Sequence, residues 1–262
     1  MEYFIPYLLL GSFAGLVAGL LGVGGGLIIV PVLVWLFSQQ GMNNEIIVHL
    51  AVGTSLSTII ITSISSLYAH HRHGAVQWKV FSMIAPGIIA GALIGAWIAR
   101  YMPTKVLGSF FGVFEIIVAI QMGFAIKPHA VRTLPGKWVM SLVGSVIGCV
   151  SAIVGIGGGT MTVPYLVWCN VHMRQAVATS AAVGLPIAIA GTAGFIWTGW
   201  QQGNLPEGNL GFIVPEAFIG IVLASVLFAP LGAKITHQVP PLLLKRVFSV
   251  LLLFLGIRML MA

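Results

Sequence analysis

Charge is what this sequence has least of. Only 6% of its 262 residues are charged and only five are acidic, against roughly a quarter charged in an ordinary soluble domain. So little charge cannot keep a large surface in water, which argues against a conventional soluble enzyme or binding domain. No lysine or arginine precedes Arg72, so the positive n-region of a cleaved signal peptide is missing and the first apolar segment is expected to stay in the mature protein. The two cysteines, Cys149 and Cys169, lie in apolar segments without metal or redox spacing, and read as packing residues. G-x-S-x-G is absent, and nothing resembles a nucleophile and its base. The one histidine cluster is His70, His71 and His73 around Arg72. A metal-dependent membrane enzyme built on it is the alternative function, but His49, His129, His172 and His237 are scattered among different connectors, so further ligands are lacking. The cluster reads as a solvated loop, and neither a metal nor another cofactor is expected.

What is present is apolar length. Hydrophobic residues make up 58% of the chain. Segments at about 4–37, 51–69, 82–99, 105–125, 138–169, 176–198, 211–232 and 241–261 approach or exceed the 20 or so apolar residues that span a bilayer. The formal charge of +7 sits in the short connectors rather than on one face, so it signals topology and not a nucleic-acid partner. The expected fold is an all-α polytopic membrane protein, with the lipid bilayer as its surroundings.

The chain also repeats itself. Gly11 to Trp35, GSFAGLVAGLLGVGGGLIIVPVLVW, aligns without gaps on Gly144 to Trp168, GSVIGCVSAIVGIGGGTMTVPYLVW, with 13 of 25 positions identical. AVGTS at Ala51 to Ser55 answers AVATS at Ala176 to Ser180. Pro86 and Gly91 are matched to Pro215 and Gly220, and Gly95 to Met122 more loosely to Gly232 to Met259. The expected organisation is a first repeat over 1–126, a basic linker over 127–137 and a second repeat over 138–262.

In each half the first segment is too long for one simple helix and is broken by glycine. If it passes straight through, there are eight crossings and the basic residues divide six against six. If it doubles back, there are ten segments, and Arg72, Lys79, Lys127, Arg132, Lys137, Arg174, Lys234, Lys245 and Arg246 share one side against Arg100, Lys105 and Arg258. Nine against three is a usable bias under the positive-inside rule. The expectation is therefore a glycine-tipped hairpin plus three spanning helices in each half, an inverted repeat, and both termini outside.

Gly22, Gly24, Gly25 and Gly26, and likewise Gly155, Gly157, Gly158 and Gly159, each disfavour a helix interior by close to 1 kcal/mol relative to Ala, and Pro31 and Pro164 follow at the same spacing. Broken backbone in hydrocarbon is tolerated only inside protein or beside a wet cavity. The helix starts at Gly24, Gly25, Gly26 and Leu27 and at Gly157, Gly158, Gly159 and Thr160 present bare N–H groups and a positive dipole end, which suits an anion. The competing reading is close packing of small residues, which is preferred for Gly11, Gly15 and Gly19 and for Gly87, Gly91 and Gly95. Thr54 and Ser55, with Thr179 and Ser180, fall at matching places in both halves and are candidate hydrogen-bond donors to a ligand. Most other hydroxyls, such as Thr58 and Thr62, are expected to bond back to their own helix carbonyls or to hold helices together. Glu115 lies in mid-segment, opposite an apolar Leu252 in the other half, and is a candidate proton carrier for coupling. Arg174 could attract an anion, though an inside-facing charge is the plainer reading. The tryptophans, Trp35 to Trp200, cluster toward segment ends as interfacial anchors do.

The paired blocks GLLGVGGGLIIVP and AIVGIGGGTMTVP, each followed by an A-V-x-T-S run, resemble those of the TauE/SafE sulfite-exporter family of bacterial permeases. The likeness covers essentially the whole chain. It implies a secondary transporter of the cytoplasmic membrane that moves sulfite or organosulfonates, usually described with about eight spanning segments. It agrees with the residues, since helix starts and hydroxyls suit an anion and the few intramembrane carboxylates disfavour a metal-cation carrier. A passive anion channel remains a further alternative.

Overall fold

The computed structural model describes residues 4–21, 25–124, 133–202, 205–206, 208–236 and 240–261. Among these described residues the fold is all-helical, with ten helices: α1 (Phe4–Leu21), α2 (Gly26–Gln39), α3 (Ile47–Arg72), α4 (Trp78–Tyr101), α5 (Thr104–Gly123), α6 (Lys137–Val154), α7 (Gly159–Trp168), α8 (Met173–Trp200), α9 (Pro215–Thr236) and α10 (Pro241–Met261). Six of them, α3, α4, α5, α6, α8 and α9, are long and apolar enough to cross a bilayer. Side chains such as Leu227, Val250 and Phe254 are exposed on the outside, where lipid rather than water accepts them.

The two glycine-broken segments double back. Tyr7, near the start of α1, hydrogen-bonds Gln40 just past the end of α2 and meets Phe37 edge-on, ring centroids 6.4 Å apart. The second segment repeats the arrangement: the Tyr165 hydroxyl, late in α7, donates to Met140 Sδ, early in α6, at 3.5 Å. Gly155 makes the second turn possible. It closes α6 with φ +73°, a left-handed backbone that glycine adopts without a Cβ penalty, and Ile156 N–H bonds back to Ser151 O as in a Schellman cap.

Helix packing follows from small residues. α4 lies along α6 and α1 along α9, while α3 faces α8 and α5 faces α10. These pairings are unchanged when α1–α5 are exchanged with α6–α10. Gly87, Gly91 and Gly95 sit against the backbone of Ser141, Ser145 and Cys149, and Gly11 and Gly15 against Ile221 and Ser225. Side chains there would hold the helices apart; glycine lets the backbones touch. Gly144 and Gly148 face Ile84 and Ile88 in the same way, and Gly232 faces Leu16 as Gly95 faces Cys149. In this register Ile84 answers Ile221 and Gly95 answers Gly232. The match of Pro86 with Pro215 and Gly91 with Gly220 is therefore corrected: Pro86 lies inside α4 whereas Pro215 opens α9, so the shared residue type does not mark the same place in the two helices.

α3 and α8 are the central helices, and every residue from 46 to 59 is buried. His49 belongs to this buried stretch and not to a connector as its isolation suggested. Its Nε2 lies 2.9 Å from Ala99 O and its ring 5.2 Å from that of Phe212.

Candidate functional site

Each hairpin ends in a helix start with nothing of its own to cap it. α2 begins after Gly25 and α7 after Gly158; neither start has a side-chain cap or an acidic residue in its first turn. The first N–H groups of a helix have no intrahelical acceptor, so both starts present donors and the positive end of a dipole. The two tips meet. A Cβ on Gly26 would lie 2.6 Å from Gly155 O and 3.1 Å from Ile156 Cα, so the first tip rests directly on the backbone of the second. Gly24 and Gly22 lie outside the described residues.

The walls come from the central helices. A Cβ on Gly157 would meet Ile59 of α3, and one on Gly158 would meet Val183 and Ile187 of α8 as well as Thr162 Oγ1, at 3.1 Å. Gly155 is enclosed by Val30 and Val52. Gly25, Gly26, Leu27, Gly157 and Gly158 are buried, while Gly159 and Thr160 are partly so. Two surface grooves of about 200 Å³ lie elsewhere, one beside Lys105 at α3, α5 and α10, the other beside Trp35 and Arg258 between α2 and α10. Pro31, the proline that follows the first glycine run, lines the second groove, but Gly25, Gly26, Gly157, Gly158 and Gly159 line neither. Where the tips meet, Gly25, Gly26, Gly157 and Gly158 are enclosed by protein.

The four matched hydroxyls divide by what they do. Thr54 Oγ1 accepts the Val214 N–H at 3.0 Å, and Thr179 Oγ1 accepts the Gln77 N–H at 3.0 Å. Val214 and Gln77 immediately precede α9 and α4, so each threonine pins the chain entering a helix of the opposite half. Ser55 Oγ donates to Gly155 O at 2.8 Å, joining α3 to the second tip. Ser180, its counterpart, is 2% exposed and its hydroxyl has no hydrogen-bond partner. Thr160, Thr162, Ser151 and Thr192 also carry buried hydroxyls without partners. All five belong to α6, α7 and α8. In the first half Ser57, Thr58 and Thr62 return their hydroxyls to their own helix carbonyls, so the buried hydroxyls without partners, among the described residues, all lie in the second half. Buried polar groups are ordinarily paired; the orphaned hydroxyls of Thr160 and Thr162 belong to the first residues of α7 itself, and that of Ser180 to α8, the helix against which Gly158 packs.

The paired threonines reveal a feature missed in the sequence. Before α4, Ala75 and Val76 are buried; before α9, Phe212, Ile213 and Val214 are buried. Both short loops dip into the bundle, and both are entered through a glycine with positive φ, Gly74 at +60° and Gly211 at +58°. The signal was available as H-G-A-V-Q-W and L-G-F-I-V-P, but the two share only the glycine and apolar character.

Other candidates lie apart from the tips. Arg174 is exposed in the first turn of α8, within electrostatic reach of His70. His71 and His73 are exposed, and no group of three metal-ligating side chains occurs among the described residues. Glu115 is fully buried where α5 meets α10, its Cβ 3.4 Å from where a Cβ on Gly256 would stand.

The model of the sulfite exporter TauE/SafE family matches residues 7–259. A probable membrane transporter protein of Haemophilus influenzae is 36% identical over 254 residues, covering 96% of each chain. One of Methanocaldococcus jannaschii is 29% identical over 266 residues, covering 98% of this chain and 96% of that one. A third, from Bacillus subtilis, is 27% identical over 240 residues, covering 88% and 89%. No solved structure matches the chain. The relatives are named as transporters and not enzymes, which removes the histidine-based metalloenzyme from consideration. A multi-pass helical chain whose doubled glycine blocks meet at its centre, and which one family's model spans almost from end to end, belongs to the TauE/SafE family of membrane transporters.

Proposed function

We propose that this protein is a secondary transporter of small sulfur-containing anions, such as sulfite or organosulfonates, that works by alternating access in the bacterial cytoplasmic membrane. The observation that carries this reading is the uncapped start of α7, with the partnerless hydroxyls of Thr160 and Thr162 in its first residues and that of Ser180 on α8, the helix against which Gly158 packs. Amide and hydroxyl donors without a fixed positive charge suit a small oxyanion that must also be released. Gly25, Gly26 and Leu27 of the first tip face it, and Gly157, Gly158, Gly159, Thr160, Ser180 and Thr162 form its principal side. Thr54, Thr179 and Ser55 hold the frame, each with a hydroxyl already engaged.

The two repeats, 1–126 and 138–262, are read as inverted. Supporting this, the start of α1 lies with that of α9 and the start of α6 with that of α4, while His49 at the start of α3 touches Ala99 near the end of α4. Each hairpin then enters from its own side of the membrane. The end that carries Arg72, Lys79, Lys137, Arg174, Lys234, Lys245 and Arg246 is assigned to the cytoplasm, which leaves both termini outside. Arg174 stands at the cytoplasmic mouth.

Proteoliposomes containing the purified protein should exchange labelled sulfite faster than protein-free vesicles, with saturation. No flux for sulfite, thiosulfate and small sulfonates alike would reject the reading. Non-saturating currents in planar bilayers would favour a channel instead.

A further inference from the structure

We propose that Glu115 is a proton-binding site, and that anion movement by this chain is coupled to proton movement through it; the coupling, but not the binding, rests on the transporter reading above. Glu115 lies near the middle of α5, is 0% exposed, and neither carboxyl oxygen has a hydrogen-bond partner. α5 and α10 touch through glycine there: a Cβ on Gly112 would lie 2.7 Å from Gly256 O, and one on Gly256 would lie 3.0 Å from Gly112 O. The carboxyl group is therefore rooted in a close helix–helix seam.

The alignment of Gly95 to Met122 with Gly232 to Met259 places Leu252 of α10 at the corresponding position of the second half. A leucine serves that position without difficulty, so packing does not call for an acid. An ionised carboxylate needs either water or a positive partner. The elements packed against α5 carry Lys245, Arg246 and Arg258 on α10, His49, His70, His71 and Arg72 on α3, and Lys137 and Cys149 on α6, with Lys105 on α5 itself. None of them pairs with Glu115. A metal cation would need several further oxygen ligands, and no group of three metal-ligating side chains is present among the described residues. A proton is the one ligand that neutralises this group without a second residue.

The consequence is a two-state device. With the α5–α10 seam closed, as here, the carboxyl group carries its proton. A rearrangement that admits water to the seam lets the proton leave. Because each half must move against the other for the tips to open, the seam and the anion site can change together, and one proton is then carried in each cycle.

Infrared difference spectroscopy of the purified full chain in detergent tests the binding site by itself. A protonated carboxyl stretch at neutral pH, lost in Glu115→Gln, is expected; its absence from the wild type overturns the proposal. Flux in proteoliposomes tests the coupling, using sulfite and also ethanesulfonate, a strong-acid anion that does not buffer protons. Wild-type flux should change by up to about tenfold per unit of imposed pH gradient for one coupled proton. Glu115→Gln should lose this sensitivity, and Glu115→Asp should recover part of it, which guards against a mere folding defect. Wild-type flux indifferent to the gradient, or a Glu115→Gln variant with full sensitivity, overturns the coupling. No flux of any anion, with the infrared band present, instead rejects the anion reading and leaves the proton site standing.

Discussion

Replacing Thr54 or Thr179 by valine removes one hydroxyl while nearly keeping shape, and the structure predicts different penalties for the two. Each hydroxyl is the acceptor for a single backbone N–H, Val214 for Thr54 and Gln77 for Thr179, both at 3.0 Å. Leaving a buried donor unsatisfied costs about 1–3 kcal/mol, which makes local opening roughly 5- to 150-fold more frequent. Val214 is 5% exposed, so Thr54→Val should approach the upper end. Gln77 is only half-buried, and water can replace part of its lost bond, so Thr179→Val should fall near the lower end. Hydrogen exchange followed by mass spectrometry in detergent reads both loops at once. Thr54→Val should speed exchange over 212–214 and spare 75–77; Thr179→Val should do the reverse. Equal acceleration of both loops by either variant, or none, would refute the view that these threonines pin separate helix entrances.

The glycine contacts predict a second contrast: Gly15→Ala places a Cβ 2.6 Å from Ser225 Cα, and should lower stability by about 1–3 kcal/mol, whereas Gly108→Ala meets nothing closer than 3.6 Å and should be near neutral in thermal unfolding. Ser55→Ala removes the bond to Gly155 O and should destabilise by about 1 kcal/mol, while Ser180→Ala breaks no existing bond and should leave stability unchanged but raise the KM for sulfite flux. A topology reporter fused after Gln40 should report the same side as the amino terminus, since Tyr7 bonds Gln40; the opposite side would exclude the hairpin.

The sequence alone determined the helical class, the membrane setting and the doubled block, because each is written in local composition. Apolar runs of bilayer length, basic connectors and glycines followed at fixed distance by proline need no tertiary information to be seen. Helix bounds came within about four residues for the same reason: α3 and α4 begin at Ile47 and Trp78, ahead of the segments read from 51 and 82, whereas the helix in the segment read from 211 begins later. That helix begins at Pro215, because the apolar residues just before it form a buried loop, and hydrophobicity cannot tell a buried loop from the first turn of a helix.

Tertiary structure decided which polar groups are free. Thr54, Ser55, Thr179 and Ser180 look equivalent in the chain, yet three are occupied by partners up to 160 residues away and one is not. Whether a hydroxyl is spent on the frame or left for a ligand depends on what the fold brings within about 3 Å of it, and that distance is set by packing between elements rather than by neighbours in sequence.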